Sequence, residues 1–313
     1  MQRIKQLWVV GSLLGALFVC GASMVPSRAD AAEGEAITEE TAPLKLGIPP
    51  FFSAPTLLRV HSPLREHLEM ALNRKVVIYS AVNHEQFLLS MLKGRFDIAV
   101  TPVHFVSLAA EQGFVPLLRY RHPFKVLLVV RGHSDIRGIK DLLGRSIGLP
   151  DSFSFYHLIG MQWLCSLSSK PNLDFLLSEQ PSHMAGMMSV EAGRIDAVVT
   201  ALPLWRMLGE GIRKKLRTID VSHQEFPSLV TMVHSSLGEA QIERIRAALE
   251  AFPQTEEGKL FFETSDYGGY VPVTKKDLVD AHRYGKMVTW MLDLSAQNKD
   301  IGQRIQKICS PNQ

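Results

Sequence analysis

One short pattern occurs twice in this chain, and it sets the architecture. Lys93-Gly-Arg-Phe-Asp97 runs into the apolar stretch Ile98-Ala-Val-Thr101, and Ala192-Gly-Arg-Ile-Asp196 runs into Ala197-Val-Val-Thr200. Each copy follows a helical pattern, and Pro comes soon after (Pro102, Pro203). A helix stopped at Gly and followed at once by a short apolar strand is the joint of a βαβ unit. Two copies imply two α/β lobes built on one plan, each a mostly parallel sheet flanked by helices.

The flanking sequence fits that plan. Leu44–Ile48 alternates as a strand, and Pro49–Ser53 ends it with two aromatics. Ser62-Pro63 predicts a helix start, with Ser at the cap and Pro in the first turn. Lys75–Ser80 is a strand, and Asn83–Gln86 has the form of a capping box ahead of Phe87, Leu88, Met91 and Leu92. Lys125–Val130 is apolar throughout, as in a strand covered on both faces. Beyond it, Asp141–Gly144 predicts a turn of helix and Ser146–Leu149 a strand stopped by Pro150 and Asp151. Ser152 or Ser154 then caps a helix carrying Leu158, Ile159, Met161, Trp163 and Leu164. Strands at Leu173–Leu177, Leu216–Asp220 and Ser228–Val233 and helices at 239–252 and 274–295 complete the pattern.

The first 31 residues stand apart. Arg3 and Lys5 precede an apolar run from Leu7 to Val19, and Ala29-Asp-Ala31 offers a small-x-small cleavage site, the order of a cleaved export signal. The run is short for a bilayer span, and no later stretch is long and apolar enough for one. An uncleaved anchor is the alternative; lipidation at Cys20 fits poorly after Leu17, Phe18 and Val19. Residues 32–43 are acidic and predict a disordered lead-in. The net charge of +3 falls to +1 without the leader, which excludes a nucleic-acid footprint. With 46% hydrophobic and 21% charged residues the chain is globular. Cys165 and Cys309 remain in the exported chain. Cys165 has the setting of a small buried hydrophobe, and a bridge to Cys309 is permitted in an oxidising compartment without being required.

Ligands of open α/β sheets bind beyond the carboxyl ends of the strands. That rule selects Phe51 and Phe52 after the first strand, and Thr101, His104 and Phe105 after the third. In the second lobe it selects Ser152, Phe153, Ser154 and Phe155, with Thr200 after the repeated strand and His183 at a helix start. A strand turning into a Ser-capped helix aims free N–H groups, a hydroxyl and a positive helix end at one point, a natural seat for an anion. Each residue also has a structural role open to it: Thr101 as a cap, the Phe rings as core, the His residues as packing. No Gly-x-Ser-x-Gly, His-Glu-x-x-His or phosphate-loop motif occurs, and the 11 His residues show no metal-ligand spacing. The expectation is therefore no catalytic residues, no metal and no cofactor.

Read in order, several segments together resemble the periplasmic phosphate/phosphonate-binding proteins, the substrate-binding components of ABC transporters. They are Leu46-Gly-Ile-Pro-Pro50, Pro63-Leu64 with Leu68-Glu69, Gly94–Ala99, Ile139–Arg145, Asp151-Ser-Phe-Ser154, His183, Gly193–Ala197 and Gly268–Val273, within 44–285. The resemblance implies a type II periplasmic binding protein fold with crossings at Pro123–Arg131 and Phe226–His234. One lobe would be 44–124 plus 234–313 and the other 125–233. It implies a monomer that closes on a small, anionic ligand, phosphonate- or phosphate-like or an organic anion, and delivers it to an ABC permease. A periplasmic domain signalling to a membrane kinase is the alternative, and an enzyme using Cys165 or a His is a more distant one. The family loop Ser-Thr-Ser-Gly becomes Ser152-Phe-Ser-Phe155 here, so two rings replace a hydroxyl and a close backbone approach. His183 matches a ligand-contacting His of the family, whereas His104 and Phe105 match its aromatic position only loosely.

Overall fold

The structure is a computed structural model that describes residues 42–168, 174–220, 226, 228–296 and 309. The expected export signal at 1–31 and the lead-in up to residue 41 lie outside the described residues. Strands β1 (Leu44–Gly47), β2 (Val76–Tyr79) and β3 (Ile98–Thr101) alternate with helices α1 (Ala54–Leu72) and α2 (His84–Leu92). Helix α3 (Val103–Glu111) and strand β4 (Phe114–Tyr120) follow. The second unit repeats the plan: β6 (Ser146–Leu149), α4 (Phe155–Leu167), β7 (Leu176–Glu179), α5 (His183–Glu191) and β8 (Ala197–Ala201). In each unit the first strand pairs in parallel with both others, giving the orders β2-β1-β3 and β7-β6-β8.

The repeated motif explains this equivalence. Gly94 and Gly193 adopt φ of +62° and +72°, the left-handed turn that stops α2 and α5. The Asp three residues later reaches the strand alongside. An Asp97 carboxylate oxygen accepts the Lys45 N–H at 2.7 Å, and one of Asp196 accepts the Ser146 N–H at 2.9 Å and its hydroxyl at 2.6 Å. Both carboxylates thus pin the start of the neighbouring parallel strand, satisfying a donor that the ladder leaves open.

Antiparallel strands complete both sheets. Strands β5 (Val126–Arg131) and β9 (Leu216–Asp220) extend the second, in the order β7-β6-β8-β5-β9. Strands β10 (Val230–His234) and β11 (Tyr270–Pro272) extend the first, in the order β11-β4-β10-β3-β1-β2. Four of the six strands of the first sheet and four of the five of the second share one direction. The sequence boundary that placed residues up to 233 in the second lobe is therefore corrected: β10 lies between β3 and β4 of the first sheet. The crossings run side by side where Phe124 pairs with Phe226 in an isolated antiparallel bridge.

Two further corrections concern the helices. The first helix begins at Ala54 after Ser53, with Pro55 in its first turn, so Pro63 lies inside it and not at its start. The Ser62 hydroxyl donates to the Leu58 carbonyl at 2.8 Å instead of capping. Cys165 is not an isolated hydrophobe: it is half-buried on α4 and bonded to Cys309, 144 residues away. That bond ties the chain end, assigned from sequence to the first lobe, to a helix of the second. The described residues also form helices α6 (Leu202–Arg206), α7 (Glu210–Arg213), α8 (Glu239–Ala251), α9 (Glu256–Ser265) and α10 (Lys275–Ala296) and a short 3-10 turn at Ile139–Leu142, and α10 packs along α3.

Candidate functional site

Three helix starts meet where the lobes face each other. His84 opens α2 and His104 lies in the first turn of α3, both in the first lobe; Asp151 and Phe153 precede α4 in the second. The His84 N–H donates to an Asp151 carboxylate oxygen at 3.2 Å, with its ring Nδ1 3.8 Å from the other oxygen. The His104 Nε2 is 2.8 Å from the Phe153 carbonyl, to which it donates. Within the loop, the Phe153 N–H donates to Asp151 at 2.8 Å, and the Ser154 hydroxyl caps α4 by accepting the Tyr156 N–H at 3.3 Å. The seat expected for an anion at the start of α4 thus already carries the chain's own carboxylate. Burial would raise the pKa of Asp151, but its hydrogen bonds and proximity to His84, with the Phe153 N–H, hold it below the ordinary range.

His104 and His183 are neutral here. Burial pushes both His104 and His183 down to about 3, the Phe153 carbonyl opposing this in His104 and the Asp151 charge opposing it in both. His183 Nδ1 lies 3.1 Å from the Thr200 hydroxyl, and its ring meets Tyr156 edge-on at 5.3 Å. Among the described residues, His84 Nε2, His104 Nδ1 and His183 Nε2 are buried without a hydrogen-bond partner. Among the described residues, no group of three or more His, Cys, Asp or Glu side chains is arranged to hold a metal ion.

The expected site residues divide into three groups. Phe51 and Phe52 line the remaining space of the cleft, together with Phe124, Tyr156, Leu204 and Tyr267. Ser154, His183, Thr200 and His104 are buried, and Ser152 is half-buried beside Asp151. Thr101, Phe105, Phe153 and Phe155 belong to the packed interior. The Thr101 hydroxyl faces Met91 Sδ at 3.6 Å, and Phe105 is fully buried against the His104 ring. Phe155 touches Phe124, Phe226, His104 and Tyr284 at 5.0–5.7 Å between ring centres, filling the junction where the crossings meet both lobes.

The cleft has two connected parts. Its throat, walled by the aromatics above, retains about 20 Å³, room for roughly one water. The outer chamber encloses about 300 Å³ and shares Phe124, Pro203 and Tyr267 with the throat. Its polar walls are His122 and Lys125 at the first crossing, Ser228 at the second, Arg206 on α6 and Asp266 after α9. Arg206 pairs with Asp266 at 2.5 Å from one lobe to the other, and His122 Nδ1 lies 2.8 Å from the Asp266 carbonyl. Stacking of Tyr120 on Tyr267 at 4.3 Å holds the chamber floor. His84, Lys125, Arg206 and Tyr267 were not among the sequence candidates. The carboxyl-end rule applied to β2 would have selected His84; nothing local marks the other three.

Two βαβαβ lobes joined by paired crossings, with the sites at their strand ends facing one cleft, define a two-lobed solute-binding architecture. The chain belongs to the family described as ABC transporter, phosphonate, periplasmic substrate-binding protein, whose profile matches residues 46–278. Solved structures share the fold at low sequence identity. A binding protein component of an ABC phosphonate transporter from Pseudomonas aeruginosa is 14% identical, with a TM-score of 0.68 over 87% of this chain and 95% of that one. PhnD1 of Prochlorococcus marinus, in complex with methylphosphonate, is 16% identical, with a TM-score of 0.69 over 79% and 98%. The periplasmic aliphatic sulphonate binding protein of Escherichia coli is 14% identical, with a TM-score of 0.56 over 80% and 87%. No curated protein sequence matches the chain.

Proposed function

We propose that this chain is an exported, monomeric solute-binding protein that closes two lobes on a small anionic ligand and delivers it to an ABC permease. The ligand class is phosphonate- or phosphate-like, or an organic anion. Membership of a transport family supports the delivery role, and the Arg3/Lys5, apolar, Ala-x-Ala leader supports export with cleavage near Ala32. The observation that carries the reading is a cleft with walls from both lobes and both crossings, Lys125 and Arg206 among them. A ligand bound there touches the closed form on both sides, so it favours closure by its differential affinity for that form. The crossings, paired at Phe124 and Phe226, are where a few residues absorb the rotation.

Native mass spectrometry of protein purified from the periplasm tests this. The expected result is the mass of a chain starting near residue 32 with a small solute retained, released by mild denaturation. A chain that still carries its leader, or one that binds no solute while properly folded, would overturn it.

A further inference from the structure

An anion held between the lobes needs a seat in the cleft. The start of α4, the seat suggested by the loop, is occupied: Asp151 takes the N–H groups of Phe153 and His84, and Ser154 is spent on its cap. A phosphonate or phosphate placed there would meet a carboxylate at contact distance, and the adjoining throat holds only about 20 Å³. The outer chamber differs in charge and size. Its about 300 Å³ reaches the range of small-molecule pockets. Lys125 and Arg206 face Asp266, so the walls carry one positive charge in excess. Arg206 and His122 engage Asp266, whereas the exposed Lys125 ammonium has no ion pair among the described residues. The rest of the lining includes Phe124, Leu202, Pro203 and Tyr267.

We infer that the outer chamber is the ligand seat, and that its ligand is a small organic monoanion with the charge at Lys125 and Arg206 and a flat apolar body on Phe124 and Tyr267. This rests on the solute-binding reading and narrows it. One excess positive charge matches a carboxylate or sulfonate better than a dianion, and ring faces favour a planar body over a methyl group.

Isothermal titration of the exported protein with benzenesulfonate, methanesulfonate and methylphosphonate tests the inference. Benzenesulfonate should bind at least tenfold tighter than either other probe. Lys125→Met should weaken it tenfold or more and Lys125→Arg should restore most of the loss. Lys140→Met, which removes an exposed cation from the turn at 139–142, controls for net charge. Methylphosphonate binding tighter than benzenesulfonate, no benzenesulfonate binding, or equal loss in Lys125→Met and Lys140→Met would each overturn it. Tight methylphosphonate binding that survives Lys125→Met would leave the solute-binding reading standing and remove only the chamber assignment. A protein that binds none of the three and retains no solute would remove both.

Discussion

His104 and His183 illustrate what one buried ring does to the whole fold. Both are neutral inside the protein, with pKa values of about 3 against 6.5 for a free imidazole. Between those values the unfolded chain binds protons that the folded chain does not. Stability is therefore complete above about pH 6.5 and falls as the pH drops through that window. At pH 5 each ring costs on the order of 2 kcal/mol relative to neutral pH. Thermal unfolding at pH 7, 6 and 5 should show Tm falling with pH, and His104→Gln, which retains a donor for the Phe153 carbonyl, should show a shallower fall. A flat profile in the parent protein would rule out neutral burial. Single residues were also where the sequence was hardest to interpret. Phe153 stands in the loop before α4 and Phe155 at the first position of that helix, facing the opposite lobe, yet the two residues are 1% and 2% exposed. Loop position fixes which residues come near the cleft. It does not fix rotamer direction, which for Phe155 follows from the partners Phe124, Phe226 and Tyr284, far away in sequence.

Elements were more legible, for a local reason. The two Gly-Arg-x-Asp segments contain their own structural logic: a left-handed Gly to end a helix, and an Asp to bind the strand beside the next one. Asp97→Ala or Asp196→Ala leaves the Lys45 or Ser146 N–H without its acceptor, and each should cost about 1–3 kcal/mol. Urea unfolding measures that loss, and hydrogen exchange should quicken at Lys45 or Ser146 in the matching variant and not in the other. Equal exchange at both strands would mean that the carboxylates do not hold their own strand starts. Helix α1 shows the limit of such signals. Ser53 with Pro55 and Ser62 with Pro63 both have the form of a helix start, and local chemistry does not rank them. Packing does, because Leu57, His61, Leu64, Leu68 and Leu72 form one continuous buried face. Pro63 is then tolerated within the helix, although its nitrogen cannot donate.

At the scale of the molecule, the lobes are joined at more places than the crossings alone. His84 to Asp151, His104 to Phe153 and Arg206 to Asp266 span the cleft, and the Cys165–Cys309 bond returns the chain end to the second lobe. The first three are not visible in a sequence taken segment by segment, since each depends on how the lobes face each other, and the two cysteines permit the fourth without requiring it. A bond closing a loop of 144 residues restricts the unfolded chain strongly, and replacing both cysteines by Ser should lower stability by about 2–4 kcal/mol. Thermal unfolding of the oxidised protein, the reduced protein and the double variant checks this. Reduction should bring the parent to the level of the variant, and identical curves for oxidised and reduced protein would show that the bond contributes nothing.

The place of β10 between β3 and β4 also determines the order in which the molecule can be assembled. All the strands of the second sheet lie in one uninterrupted stretch, residues 126–220, whereas the first sheet needs a central strand from residues 230–234 and an edge strand from 270–272. As the chain emerges with its N-terminus first, the second lobe has its full set of strands first. The earlier-emerging residues 44–120 must wait with an open gap in their sheet. The gap exposes the facing edges of β3 and β4, which no other strand of that sheet covers. The first lobe is thus the part that most needs protection until residue 234 has emerged, and the part where a stalled or shortened chain would aggregate.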